Sequence, residues 1–162
     1  WEDTRASSGF NFRMTEMQGA VGLAQLKKLS TVVTAQRKNR DAMWAAIDSL
    51  PGITAREVPV GSYETADALV FSVKDNATAK KCRDALLAEG LSTKILPEAV
   101  TWHFAGTWTH MPELVARHGG DLSKAFTDSR ARLERAVSLP VVVKMDETVP
   151  ARLNKALSKV LQ

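Results

Sequence analysis

Between residues 16 and 26, Met17, Ala20, Val21 and Ala24 recur at the three-to-four spacing of an amphipathic helix. Thr15 and Gln18 flank its start at capping-box spacing, hydroxyl to the third amide and side-chain amide back to the first. The helix is therefore predicted to begin at Glu16. Gly19 and Gly22 lie inside it, each costing about 1 kcal/mol against alanine. A helix that keeps two of them is expected to meet another backbone or a ligand closely. A second seam follows in Val32, Val33, Gln36, Ala42, Met43, Ala46, Ile47 and Leu50. Its opposite face, Arg37, Lys38, Arg40, Asp41 and Asp48, is charged. This predicts a long surface helix, with Ser30 as a candidate cap, running to Pro51-Gly52.

Beyond Gly52 the period changes from helical to alternating. Residues 53–58 and 68–73 read as strands joined through Gly61-Ser62-Tyr63-Glu64. Ala79, Cys82, Ala85 and Leu86 form the stripe of a further helix, capped by Asn76 or Thr78 and stopped at Gly90. Residues 91–96 read as a short strand ending at Pro97. Residues 101–111 have no period and hold two Trp, two His and a Phe, an aromatic loop. Pro112 opens a short helix that stops at Gly119-Gly120, and Ser123 is a candidate cap for the next, running to about Arg135. Residues 137–143 are apolar with Pro140 inside, which predicts an edge strand or an extended segment. A last amphipathic helix starts at Val149 or Pro150, with Leu153, Ala156, Leu157 and Val160 facing in. The expected class is α+β: long N-terminal helices, then a small antiparallel or mixed sheet covered by helices. The expected organisation is a loop and helical arm over residues 1–50 and a small domain over residues 51–162.

Composition narrows the function. The chain has 162 residues, 44% hydrophobic and 25% charged, enough to bury a core without disulfides or structural metal. Cys82 is the single cysteine, so no internal disulfide forms, which fits a reducing, cytoplasmic setting. No apolar run approaches ~18 residues, so no membrane span is predicted. The net charge is +4, but Lys and Arg are interleaved with Asp and Glu along helices. That is a solvated surface with a mild attraction for phosphorylated small molecules, and not a nucleic-acid face. Trp1-Glu2-Asp3-Thr4 has neither the basic n-region nor the apolar h-region of a targeting peptide. A chain opening this way is expected to be part of a longer one.

Most catalytic signatures are absent. His103 and His110 are seven residues apart, no standard ligand spacing, and no metal site is expected. There is no P-loop, Gly-x-Gly-x-x-Gly or Gly-x-Ser-x-Gly. Cys82 lies on an apolar stripe and reads as core. The segment Gly9-Phe10-Asn11-Phe12-Arg13-Met14-Thr15-Glu16-Met17-Gln18-Gly19-Ala20-Val21-Gly22-Leu23-Ala24-Gln25-Leu26 differs: amide and guanidinium donors sit just ahead of a helix start, a placement that suits an anion. Taken alone, Asn11 could equally cap a turn and Arg13 pair with Glu16 on the surface.

This segment closely resembles the signature of the DegT/DnrJ/EryC1/StrS sugar aminotransferases, fold-type I enzymes that use pyridoxal 5'-phosphate (PLP). The match falls on Gly9, Phe10, Asn11, Phe12, Arg13, Met14, Glu16, Ala20, Gly22, Leu23, Gln25 and Leu26. Gln36-Arg37-Lys38-Asn39 and Val137-Ser138-Leu139-Pro140-Val141 extend it, so the chain resembles the C-terminal third to two-fifths of such an enzyme. Trp102-His103-Phe104 with Trp108 and His110 resembles the branch that makes 8-amino-3,8-dideoxy-manno-octulosonate. The resemblance implies that Asn11, with Arg13 beside it, binds the cofactor phosphate of a neighbouring subunit in a homodimer. It implies that Trp102, His103 and Trp108 line a sugar site, although the same residues could be a packed aromatic patch. The implied partners are a keto- or aldehydo-sugar, nucleotide-linked or of the 3-deoxy-octulosonate type, and an amino donor such as glutamate. The family's cofactor lysine precedes the motif, so this chain is expected to lack it and to be inactive alone. Lys94 lies on the wrong side of the motif to replace it. The rival expectation is a non-catalytic binding module with a basic surface.

Overall fold

The computed structural model describes residues 13–95, 100 and 104–162. It forms two compact units, Trp1–Val32 and Val33–Gln162.

In the first unit, helix α1 spans Glu16–Leu26. The predicted capping box is present: Gln18 N donates to Thr15 Oγ1 at 3.3 Å, and Thr15 N donates to Gln18 Oε1 at 2.8 Å. No residue of α1 is buried. Met17, Val21, Leu23 and Leu26 are all more than half exposed. A Cβ on Gly22 would meet nothing within 4 Å, and one on Gly19 would meet only Met14 Sδ at 3.8 Å. The close neighbour expected of these glycines is therefore not found among the described residues.

Helix α2, Leu29–Ala45, starts one residue before the Ser30 cap expected from the sequence. Within the second unit it buries Val33 and Met43, and Ile47 just beyond it is fully buried. The sheet follows, antiparallel throughout, in the order β1-β2-β4-β3: β1 is Thr54–Ala55, β2 Ala68–Ser72, β3 Lys94–Ile95 and β4 Ala136–Pro140. Leu69 pairs with Leu139 and Phe71 with Val137, so alternate residues of the two central strands put their apolar side chains on one face. Helices α3 (Asn76–Ala88) and α6 (Val149–Ser158) cover that face. Cys82, Leu86, Leu153, Ala156 and Leu157 are all buried there in one cluster with Met43 and Ile47. Two further short helices, α4 (Pro112–Arg117) and α5 (Thr127–Leu133), lie between β3 and β4 in the chain. This is the α+β class expected from the sequence. Among the described residues, no helix is long and apolar enough to cross a membrane.

Three local expectations fail, each for a physical reason. The cap of α3 is Asp75, not Asn76 or Thr78: its carboxylate accepts from Thr78 N at 2.7 Å, and hydrogen bonds from Thr78 hold it below the usual carboxylate range. Ser123 caps no helix; it donates to Asp121 through both its amide and its hydroxyl at 2.8 Å, and α5 starts four residues later behind Phe126. Strand β4 is interior, not an edge. Pro140 is tolerated because it lies opposite Ala68 between the pairs that exchange hydrogen bonds with β2, such as Val141 N to Asp67 O at 2.8 Å. Its missing N–H falls on the β3 side, beyond the last pair there, Lys94 with Ser138.

Charged groups lock the helical layer. Helix α3 ends in a Schellman turn at Gly90 (φ +70°), with Leu91 N donating to Leu86 O and Gly90 N to Leu87 O, both at 2.9 Å. Arg152 of α6 donates to the Glu89 carbonyl, and Lys155 and Lys159 each donate to its carboxylate at 3.0 Å. These lysine hydrogen bonds hold the Glu89 carboxyl below its ordinary range. Asn154 Nδ2 donates to Ala46 O at 2.6 Å and ties α6 to the end of α2.

Candidate functional site

The residues singled out from the sequence fall in both units. Arg13 is exposed, two positions ahead of the Thr15 cap, where the chain turns into α1. Asn11 lies outside the described residues. A guanidinium is always charged, carries only donors and presents them in a planar fork, the chemistry that a phosphate dianion requires. The capping box already engages the amides of Thr15 and Gln18, so it fixes the helix start while the side chain of Arg13 stays on the surface. Arg13 thus puts a charged, donor-only group just ahead of the start of α1.

Trp108 closes a 3-10 turn over Ala105–Thr107 and is 36% exposed. Trp102 and His103 lie outside the described residues. The turn itself is held by a cluster that the sequence does not disclose. Thr107 Oγ1 donates to Phe104 O at 2.7 Å. Phe104 is buried, with the Arg130 guanidinium 4.8 Å from its ring centroid and the Phe126 ring edge-on at 6.1 Å. His118 lies against Phe126 at 4.8 Å. Gly106 lets the backbone approach this cluster closely: a Cβ would stand 2.4 Å from Phe104 Cε1 and 3.1 Å from Arg130 Nη2, so a side chain here would make the ring or the guanidinium shift. Phe126 has φ 57° and ψ 38°, a left-handed conformation that an aromatic residue adopts only when its surroundings impose it. Phe126 and Arg130 carry no sequence signal of their own, because the first reads as one more core aromatic and the second as helix surface. Their part in bracing the aromatic loop depends on contacts that the pattern does not encode.

Cys82 is fully buried, and desolvation pushes its thiol up to about 11, so at neutral pH it is protonated and no nucleophile. Among the described residues no group of three or more His, Cys, Asp or Glu is placed to hold a metal ion.

Several solved structures share this fold. Aminotransferase TlmJ from Streptoalloteichus hindustanus is 13% identical with a TM-score of 0.66, over 89% of this chain and 35% of its own. Helicobacter pylori PseC, an aminotransferase involved in the biosynthesis of pseudoaminic acid, is 15% identical with a TM-score of 0.65, over 99% of this chain and 42% of its own. E. coli GDP-4-keto-6-deoxy-D-mannose-3-dehydratase, with bound hydrated PLP, is 18% identical with a TM-score of 0.60, over 95% of this chain and 37% of its own. The chain thus spans about two fifths of the length of these proteins. The sequence model of the DegT/DnrJ/EryC1/StrS aminotransferase family matches residues 1–158, and the chain belongs to that family.

Proposed function

We propose that this chain is the C-terminal part of a PLP-dependent aminotransferase that aminates a keto- or aldehydo-sugar for sugar or polysaccharide biosynthesis. The observation that carries the reading is the family match over residues 1–158, in which Glu16–Leu26 form a capped, exposed helix. When bound in the whole enzyme, the cofactor would supply an electron-withdrawing ring as electron sink and an exocyclic aldehyde carbon to take up and hand on the amino group. The residues of this chain bind and orient. Asn11 donates its side-chain amide to the cofactor phosphate, and Arg13 adds a charged donor beside it. Residues 1–50 form the arm that brings these groups to the neighbouring subunit of a homodimer. Residues 51–162 form the small domain, and Trp102, His103 and Trp108 line the sugar pocket. The amino donor is glutamate. On this reading another part of the whole enzyme contributes the lysine that holds the cofactor, and the 162 residues bind without transaminating. The exposure of α1 supports the arm, because apolar residues on a helix surface call for a covering surface.

In the whole enzyme, Asn11→Ala weakens PLP retention by about 1–3 kcal/mol, as for loss of a hydrogen bond to a charged group. Unchanged cofactor affinity in a folded dimer removes the phosphate role. The 162-residue chain mixed with PLP gives no absorbance band of lysine-bound cofactor. A band that Lys94→Ala abolishes refutes the assignment of the lysine to another part of the protein.

A further inference from the structure

Helix α2 and the β1–β2 edge enclose a pocket of about 210 Å3 within the second unit. Arg40, Asp41 and Trp44 line it from α2, and Arg56, Val58 and Glu64 line it from the connection between the two strands. None of the residues assigned to cofactor or sugar is among them, so the chemistry of this pocket is independent of that assignment.

Glu64 is the fixed point of the polar wall. Arg40 Nη1 donates to Glu64 Oε2 at 2.9 Å, Arg56 Nη2 donates to Oε1, and Arg40 Nε donates to Asp41 Oδ1 at 2.8 Å. Arg37 pins the same loop, donating to Glu64 O at 3.3 Å with its guanidinium 4.3 Å over the Tyr63 ring. The side chains of Glu64 and Arg40 are only 16% and 24% exposed, whereas those of Asp41 and Arg56 reach solvent at 67% and 53%. The inner pair is therefore largely buried and hydrogen-bonded, and the outer pair forms the mouth. A polar wall held in place before binding loses little entropy when a ligand arrives.

Charge and shape select the ligand. The lining contains two guanidiniums and two carboxylates, so its formal charges cancel and net charge favours neither an anion nor a cation. An uncharged hydroxyl is both donor and acceptor and bonds to either sign. Guanidiniums and carboxylates paired to one another still keep unused N–H groups and lone pairs for it. Trp44 adds an apolar aromatic surface at the same pocket, suited to the C–H face of a saturated ring. The volume is below the roughly 300–1,000 Å3 of clefts that take drug-sized ligands, which limits the occupant to one ring. We propose that this pocket binds a single uncharged sugar ring.

The test uses saturation-transfer NMR on the intact protein with methyl α-D-glucopyranoside and methyl α-D-mannopyranoside. Glucuronate, glucosamine and inorganic phosphate serve as charged comparators. At least one neutral glycoside binds saturably and more tightly than any of the charged probes. Asp41→Asn and Arg56→Met, both at exposed positions, each weaken it by about tenfold with the circular dichroism unchanged. Absence of saturable binding by both glycosides, tighter binding of a charged probe, or undiminished binding in either variant overturns the proposal. Cofactor retention in the whole enzyme stays at its original level in both variants, so this result is read independently of the Asn11 experiment.

Discussion

Helices α1 and α6 are of similar length and both carry apolar stripes, yet α6 buries Leu153, Ala156 and Leu157 completely while α1 buries nothing. Sequence explains the difference. In α6 the apolar residues share one face, and Arg152, Lys155 and, just past its end, Lys159 flank that face and tie the helix to Glu89. In α1, Met17, Ala20, Val21 and Ala24 take one side, while Leu23 and Leu26 fall with Gly19 and Gly22 on the opposite side at 100° per residue. A one-sided stripe suits a helix that closes a core, and a two-sided one suits a helix covered from two directions. One helix therefore stabilises this chain, and the other is suited to joining surfaces beyond its described residues.

Mutations can break or sharpen this contrast. The largest effect belongs to α6: Leu153→Ala lowers unfolding free energy in denaturant titrations by about 2–5 kcal/mol, since it leaves a cavity under α3 and the sheet. A smaller value means that α6 is not the closing element. Gly106→Ala follows, at about 1–3 kcal/mol, because the new methyl must displace Phe104 or Arg130. A neutral outcome there shows that the brace of the aromatic loop yields. Asn154→Ala removes the bond to Ala46 O and lowers stability by about 1 kcal/mol, read from the same titration. The smallest effect belongs to α1: Leu23→Ala changes the stability of this chain by no more than about 0.5 kcal/mol. A loss comparable to that of Leu153→Ala erases the distinction between the two helices.

How much is legible in the sequence varies with how local the cause is. The Thr15–Gln18 box, the Gly90 stop and the inward set of α6 depend on neighbours within one or two turns, and each can be read from spacing. The position of β4 is not local. An apolar run with a proline in it predicts an edge, and only the pairing shows Pro140 at the one side where its N–H is not needed. The cap at Asp75 escapes the pattern because adjacent residues can each cap, and spacing alone does not choose among them. Arg13 stands out by its charge beside a helix start, but that pattern fits a surface ion pair as well as an anion site. Phe126 and Arg130 act through packing across many residues and leave no trace in the pattern.

The central position of β4 has a consequence for how the protein is made. Strand β2 finds its long partner only after residues 136–140 exist, because β1 offers it just two residues. At roughly 5–20 residues per second, β2 waits several seconds during synthesis with the backbone N–H and C=O groups of one edge unpaired. The sheet therefore forms late and from its middle outward, and α6 can dock only after the strand that immediately precedes it is in place. A nascent chain released before residue 136 leaves the edge of β2 without its long partner and Leu69 and Phe71 without the cover of α6, so it presents an unpaired strand edge and apolar side chains together, the combination that invites aggregation.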